Sequence, residues 1–164
     1  MAVMKDQEEN GATTIVQEGN PVLRGIAHAV DASDIGTKKL HDILERMKIA
    51  LEREQDGVAI AAPQIGVSLR IFIVSHRAFT LQGEGSEAVP DPLAKDIVVI
   101  NPLLVKLSRK KLKMPEGCLS VRWLYGNTKR SEKASIRAVD EKGKAFTLGG
   151  SGLSRRYFST KSII

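Results

Sequence analysis

The clearest periodic pattern in the chain lies between residues 37 and 55, where apolar side chains recur at intervals of three and four positions. The recurring residues are Leu40, Ile43, Leu44, Met47 and Leu51. This spacing brings them to one side of a helix, so the segment predicts an amphipathic α-helix with a buried stripe. Ser33 or Asp34 is the predicted N-cap, and Asp56 with Gly57 is predicted to end the helix.

Downstream of the helix the apolar residues follow strand patterns. Residues 69–74 and 97–100 are short runs rich in β-branched side chains, which is typical of buried strands. The second run is predicted to stop at Asn101 and Pro102, and residues 103–114 are predicted to form a strand with a bend. Residues 81–96 are rich in Gly, Pro and acidic side chains and predict a loop.

The last regular pattern predicts a β-hairpin. Residues 134–139 alternate apolar and polar side chains, and a turn at residues 140–143 leads into a second strand at residues 144–148. One long N-terminal helix followed mainly by strands predicts an α+β fold. A chain of 164 residues is long enough for one hydrophobic core but not for two, so a single domain is expected.

The composition excludes several classes of protein. With 42% hydrophobic and 27% charged residues, the chain is typical of a globular protein rather than a disordered one. Its apolar runs are too short to span a membrane, so no membrane partner is predicted. The first 14 residues carry three acidic side chains and no apolar stretch, which argues against a secretory signal, and we interpret them as a flexible leader.

The charge balance leaves two interpretations open. Twenty-five basic and nineteen acidic residues give a net charge of +6, which is compatible with work near RNA, for instance at a ribosome. A basic solvated surface is the simpler interpretation, because no RNA-binding motif accompanies the charge, and no specific nucleic-acid partner is predicted. The densest basic run, residues 106–113, is explained by strand residues that alternate across an exposed edge.

Cys118 is the only cysteine in the chain. No intramolecular disulfide is possible, so a reducing cytoplasm is the predicted compartment. A lone cysteine is more often a small buried hydrophobe than a reactive group. The residues around Cys118 change that interpretation.

Two short motifs carry the functional information, GVAIAAPQIG at residues 57–66 and EGCLS at residues 116–120. They resemble the first two signature motifs of the peptide deformylases, hydrolases that remove the formyl group from N-terminal methionine of nascent chains. The resemblance covers about residues 15–152 and includes NPVLR at residues 20–24 and DEKG at residues 140–143. A Pro-Gln turn or a Gly-Cys pair alone is uninformative, whereas two family motifs in the right order are hard to obtain by chance.

The resemblance implies a fold and a set of catalytic groups. The fold would have mixed and antiparallel sheets around a central C-terminal helix that carries metal ligands. The metal, Fe²⁺ or a substitute such as Ni²⁺ or Zn²⁺, would be bound by one Cys and two His, and Cys118 matches the Cys ligand. The side-chain amide of Gln64 and the backbone N–H of Leu119 match the family's two donors to the oxyanion, and Glu116 would orient the motif.

The resemblance also implies where the substrate lies. The backbone of Gly57, Val58 and Ala59 would align an N-formylmethionyl peptide by strand-like pairing, and Gly117 would also contact it. Ala59 stands where the family usually has a second glycine. If that position requires a positive φ, alanine would be strained by roughly 1 kcal/mol; if it does not, the change is neutral.

The C-terminal tail departs from the family pattern. The family's third motif, HExDH, supplies two His ligands and the general-base Glu, but residues 153–164 read LSRRYFSTKSII. The three histidines, His28, His41 and His76, lie far upstream and show no i, i+4 spacing. We therefore divide the chain into a deformylase-like domain at residues 15–152 and an aberrant tail in place of the metal-binding helix, and we expect no specific metal affinity.

Two functional hypotheses follow from these motifs. The first is a deformylase homologue whose intact form hydrolyses N-formylmethionyl peptides, with the chain as written inactive. The alternative is a pseudoenzyme that binds formyl peptides without cleaving them. An RNA-associated basic module is a weaker third hypothesis that rests on charge alone.

The tail predicts a frameshift in the gene, either natural or introduced by sequencing. Residues 157–164 can be encoded as TAT TTC AGC ACG AAA TCG ATC ATT. Reading the same string two nucleotides later gives Phe-Gln-His-Glu-Ile-Asp-His, which is the missing motif. The nucleotide sequence through these codons tests the prediction, and codons unable to spell the motif in the second frame would refute it.

Overall fold

The structure is a computed structural model and describes residues 14–80 and 95–151. Within those ranges it contains one long helix, α1 (Lys38–Glu52), and one short helix, α2 (Arg77–Thr80). The strands are β1 (Ala59–Ala61), β2 (Ile71–Val74), β3 (Ile97–Leu107), β4 (Lys111–Cys118), β5 (Val121–Ser131), β6 (Lys133–Val139) and β7 (Ala145–Ser151). The α+β class predicted from the sequence is confirmed.

The strands are divided between two antiparallel sheets. Five of them form one sheet in the order β1-β2-β3-β6-β7, and β4 pairs with β5 in a two-stranded sheet. His28 adds an isolated parallel bridge to Leu69, so the pairing is mixed at one point. In this order β1 is an edge strand, because its only partner among the described strands is β2.

Helix α1 follows the predicted apolar stripe but has a different N-cap. The hydroxyl of Thr37 accepts a hydrogen bond from the N–H of Leu40 at 3.4 Å, which makes Thr37 the cap. The predicted caps Ser33 and Asp34 are wrong, because both lie in a preceding 3-10 turn. The carbonyl of Asp34 instead accepts from the Thr37 hydroxyl at 2.7 Å and holds the cap in place.

Two hydrophobic clusters cover the two faces of the five-stranded sheet. The helix side of the core contains Met47 and Leu51 of α1 packed with Ile71 and Ile73 of β2. Phe72 and Val74 alternate to the opposite face, where they pack with residues of β1, β3 and β6. Each fully buried side chain of this size contributes about 1.5–3 kcal/mol to stability. Because β2 places two such side chains in each cluster, it connects the two halves of the core.

Asn101 and Pro102 do not end a strand, contrary to the prediction. β3 runs on to Leu107, and its pairing with β6 shifts register between Ile100 and Leu103. Asn101 has a φ of 51°, and its side chain exchanges two hydrogen bonds of 2.8 Å with the N–H and C=O of Val30. The Asn101 side chain therefore ties β3 to the segment around Val30, which the strand pattern alone does not reveal.

The predicted bent strand over residues 103–114 is also wrong, because it is two strands in different sheets. The chain leaves β3 at Leu107 and enters β4 at Lys111. Two backbone hydrogen bonds stabilise this connection. The N–H of Ser108 donates to the carbonyl of Lys133 at 2.9 Å, and the N–H of Glu132 donates to the carbonyl of Lys110 at 2.7 Å. β5, which no pattern predicted, supplies the partner for β4.

The predicted hairpin is confirmed, with β6 and β7 joined by the expected turn and Val139 opposite Ala145. The leader, most of the loop at residues 81–96 and the aberrant tail lie outside the described residues, so those predictions remain predictions. Among the helices at residues 14–80 and 95–151, none is long and apolar enough to cross a membrane.

Asn101→Ala is expected to lower the free energy of unfolding by about 2–3 kcal/mol. The substitution removes two hydrogen bonds worth about 1 kcal/mol each. It also leaves an alanine, whose side chain cannot form hydrogen bonds, in the left-handed backbone region at a φ of 51°. Asn101→Gly removes the same bonds but relieves the backbone, so it should lose less. Urea denaturation of both variants tests this, and wild-type stability in both would contradict it.

Candidate active site

Gln64 is fixed by the turn that follows β1. Residues Ala62–Ile65 form a 3-10 helix that Gly66 ends with a φ of 82°. Gln64 is only 3% exposed, and its Oε1 accepts a hydrogen bond of 2.9 Å from the N–H of Ala61. Because the amide oxygen is held in this way, the Nε2 group must point in the other direction.

The Nε2 group of Gln64 points at the second motif. It lies 3.3 Å from the hydroxyl of Ser120 and 4.0 Å from the Sγ of Cys118. Cys118 is the last residue of β4 and pairs with Val121, so Leu119 and Ser120 form the tight connection to β5. Ser120 is buried and Cys118 is exposed. The structure thus brings together Gln64 and Cys118, which are 54 positions apart in sequence.

A segment near the N-terminus connects the two motifs. The N–H of Val16 donates to the carbonyl of Gln64 at 2.9 Å, and the N–H of Glu18 donates to the carbonyl of Ser120 at 2.8 Å. Between them, the Nε2 of Gln17 donates to the carbonyl of Leu119 at 3.3 Å. We call these three residues, 16–18, the N-terminal strap, since they hold both turns at once.

The predicted substrate-aligning residues lie at the edge of the sheet. The N–H of Ser75 donates to the carbonyl of Val58 at 2.8 Å, so Val58 turns its carbonyl towards β2. In an antiparallel pair the next residue, Ala59, turns its N–H and C=O the opposite way. No described strand pairs with that edge. The N–H of Ala61 emerges on the same edge and meets Gln64, so the edge leads directly to the Gln64 side chain.

Ala59 carries no backbone strain. Among the described residues, Asn101 is the only one other than glycine with a positive φ, and Ala59 has ordinary extended backbone within β1. The neutral alternative of the two sequence-based interpretations is therefore the correct one. Gly57 has a different reason to be glycine, since a Cβ there would lie 2.8 Å from the Cβ of Glu54.

The remaining predicted site residues lie on β4. Gly117 is opposite Tyr125 and Glu116 is opposite Gly126, which places both just before Cys118. The orienting role of Glu116 stays a prediction. Ser120 and Gln17 were not singled out from the sequence. Ser120 stood inside the EGCLS motif as a usable signal, whereas nothing in the local pattern marked Gln17.

The histidines occupy other parts of the fold. The Nδ1 of His76 contacts the carboxylate of Asp96 at 3.0 Å, His28 forms the bridge to Leu69, and His41 is exposed on α1. Among residues 14–80 and 95–151, no group of three or more His, Cys, Asp or Glu side chains could hold a metal ion. The contact described for the Sγ of Cys118 is with the side-chain amide of Gln64, which does not fit the ligand set of one Cys and two His.

Gln17→Ala is expected to loosen the turn at residues 118–121. The variant loses the hydrogen bonds from Gln17 to the carbonyls of Ile15 and Leu119, so the free energy of unfolding should fall by about 1 kcal/mol. Faster amide hydrogen exchange at Leu119 and Ser120 is the local readout. Gln55→Ala, the same change at an exposed position, is the matched control, and equal effects in both variants would contradict a specific role for Gln17.

Known proteins are similar to this chain in sequence and in fold. The sequence model of the polypeptide deformylase family matches residues 12–160. Peptide deformylase 1A, chloroplastic/mitochondrial, of Arabidopsis thaliana is 34% identical over 148 residues, which are 87% of this chain and 54% of the relative. Peptide deformylase of Desulforudis audaxviator is 33% identical over 147 residues, which are 88% of this chain and 81% of the relative.

The solved structures agree with the sequence relatives. The class I type b peptide deformylase of Acinetobacter baumannii superposes with a TM-score of 0.76 at 25% identity, covering 92% of this chain and 93% of that one. The chain spans about half the length of the plant relatives that it matches. With the family model matching most of its length and both motifs meeting at one site, the chain belongs to the polypeptide deformylase family.

Proposed function

We propose that this site is built to bind N-formylmethionyl peptides, and that the intact form of the protein hydrolyses their formyl group. The observation that carries the proposal is the meeting of Gln64 with the Cys118–Ser120 turn, beside the edge of β1 that pairs with none of the described strands. An extended peptide can add to such an edge through its backbone, as in other strand-addition complexes. Its N-terminal group would then lie next to the Gln64 amide.

The substrate would be aligned first by backbone groups. The outward N–H and C=O of Ala59 offer one donor and one acceptor to a peptide strand. Gly57 and Val58 lie just before that edge, with the N–H of Gly57 bonded to Glu54 and the carbonyl of Val58 bonded to Ser75, and they and Gly117 would flank the peptide in this proposal. These contacts are sequence-independent, which suits a substrate defined by its formylated N-terminus rather than by the residues that follow.

The oxygen of the formyl group would be held by two donors. The Nε2 of Gln64 is one, because its partner Oε1 is already bound to Ala61. The N–H of Leu119 is the other, positioned by a turn that the N-terminal strap fixes. Removing one donor of such a pair typically costs about 3–4 kcal/mol of transition-state stabilisation. Glu116 would orient the turn without contacting the substrate itself.

The metal of the family does not fit the residues described around Cys118. Cys118 would supply one ligand, but the sequence contains no HExDH motif and therefore lacks the two His ligands and the Glu base of the family. One thiolate does not make a defined site for Fe²⁺, Ni²⁺ or Zn²⁺. We therefore propose that this chain, as written, is catalytically inactive and takes up no metal specifically.

A second function is a peptide binder without catalysis. The edge of β1 and the Gln64 amide, which would recognise a formyl peptide, do not depend on the metal for their positions. Cytoplasmic peptides would be its partners in this proposal, and a ribosome would be their source.

Binding and turnover on one sample separate the two functions. We expect no turnover of formyl-Met-Ala-Ser, with or without added Fe²⁺, Ni²⁺ or Zn²⁺. Binding of the formyl peptide in preference to unformylated Met-Ala-Ser would support the peptide binder, and absence of both activities would support an inactive homologue. Chelator-sensitive deformylation by this polypeptide, checked by mass, would refute the proposed inactivity.

Ala59→Pro tests the edge of β1 directly. Proline removes one N–H, and at this position that N–H points away from β2, so the sheet keeps its hydrogen bonds. If the chain binds the formyl peptide, the variant should bind it about tenfold more weakly, the equivalent of one lost hydrogen bond, with little change in Tm. Unchanged affinity would show that the peptide binds elsewhere.

A further inference from the structure

The positive charge of the chain is concentrated at one end of the β4–β5 hairpin. The basic residues there are Arg109, Lys110, Lys111, Lys113, Lys129, Arg130 and Lys133. The same stretches, residues 109–113 and 129–133, contain one acidic residue, Glu132, which pairs with Lys110 at 3.1 Å. Seven basic residues minus one acidic residue leave a surplus of six, equal to the net charge of the whole chain.

The strand register places three lysines on one face of this hairpin. Lys113 lies directly opposite Lys129, and Lys111 is two residues before Lys113 and therefore on the same side. We call Lys111, Lys113 and Lys129 the lysine face. All three are exposed, and none has an ion-pair partner among the described residues. The sequence alone does not reveal this face, because Lys129 comes from the unpredicted strand β5.

The pairing of Lys113 with Lys129 is unfavourable for the isolated protein. Directly opposite residues in an antiparallel pair have Cβ atoms about 4.5–5.5 Å apart, and like charges at that distance destabilise the sheet. An anion bound between the two ammonium groups would remove the repulsion. Lys111 and Lys113 are separated by about 6.6–6.8 Å along β4, so a second anionic group can be reached along the strand.

The chemistry of this face favours a polynucleotide over a protein partner. Lysine is depleted from the cores of protein–protein interfaces, which are built around aromatic and apolar side chains. Lysines are common contacts to phosphate groups, and such contacts position a nucleic acid without reading its sequence. An array of exposed ammonium groups without acidic neighbours on the same face matches a repeating phosphate backbone.

We propose that the lysine face binds the phosphate backbone of a polynucleotide in a sequence-independent way. RNA and DNA share the phosphate chemistry that this face recognises. The proposal does not depend on the proposed peptide site, since Gln64, Cys118 and Leu119 contribute nothing to the lysine face. Failure of one proposal therefore leaves the other intact.

Fluorescence anisotropy with the full chain tests the proposal. The probes are labelled single-stranded RNA, duplex RNA and duplex DNA of mixed sequence, each titrated over a range of salt concentrations. With three phosphates neutralised on a single strand, a plot of log Kobs against log salt concentration should have a slope of about −2. Tighter binding of either RNA than of DNA at matched salt identifies RNA as the partner, and the reverse identifies DNA.

The decisive variant is Lys113→Gln combined with Lys129→Gln. It should weaken binding of single-stranded RNA and make the slope of log Kobs against log salt concentration less steep by about 1.4. Its Tm should be unchanged or raised, because the repulsion between Lys113 and Lys129 is removed. Lys39→Gln combined with Arg53→Gln removes the same charge from exposed positions on and next to α1. Equal weakening by the two double variants, or salt-insensitive or absent binding in the wild type, would overturn the proposal.

Discussion

The candidate site depends on the hydrogen bond between the Oε1 of Gln64 and the N–H of Ala61. The side-chain amide of glutamine has an acceptor oxygen and a donor NH₂ group. The amide can be turned either way round, and its hydrogen-bond partners decide which orientation it takes. The Ala61 N–H can only donate, so it fixes the oxygen and turns the NH₂ group towards Cys118 and Ser120. Because Ala61 belongs to β1, the orientation of the amide is coupled to the edge that we propose aligns the peptide.

The other groups of the candidate site are fixed by hydrogen bonds of the same kind. The Gln64 amide, the Cys118 turn and the N-terminal strap are held by bonds among themselves and to the sheet. None of these bonds involves an imidazole. The positions of the Gln64 amide and of the Cys118 turn are therefore fixed by hydrogen bonds within the part of the chain that the structure describes.

The sequence predicted those elements whose patterns are local. Leu40 to Leu51 repeat with a helical period, and the alternation at Ile136 and Ala138 fits one strand of a hairpin, so both were found. The predictions failed where long-range bonds decide the structure. Asn101 was interpreted as a strand end, since its partner Val30 is 71 positions away, and Lys111 was assigned to the wrong strand because its partner Ser131 had no strand pattern. Family motifs identified Gln64 and Cys118, but the bonds of Gln17 could come only from the fold.

Two asparagines of the described residues form side-chain hydrogen bonds to the backbone, and they share a feature of sequence. Asn20 accepts from the N–H of Val22 to start a 3-10 turn, and Asn101 ties Val30 to β3. Each is followed directly by proline, whose nitrogen carries no hydrogen. Spontaneous deamidation proceeds through attack of the following backbone nitrogen on the side-chain amide, and that route is closed before proline. The contact of Asn101 with Val30, which uses both the oxygen and the nitrogen of the amide, is therefore protected from a reaction that stays open to the exposed Asn127, which is followed by Thr128.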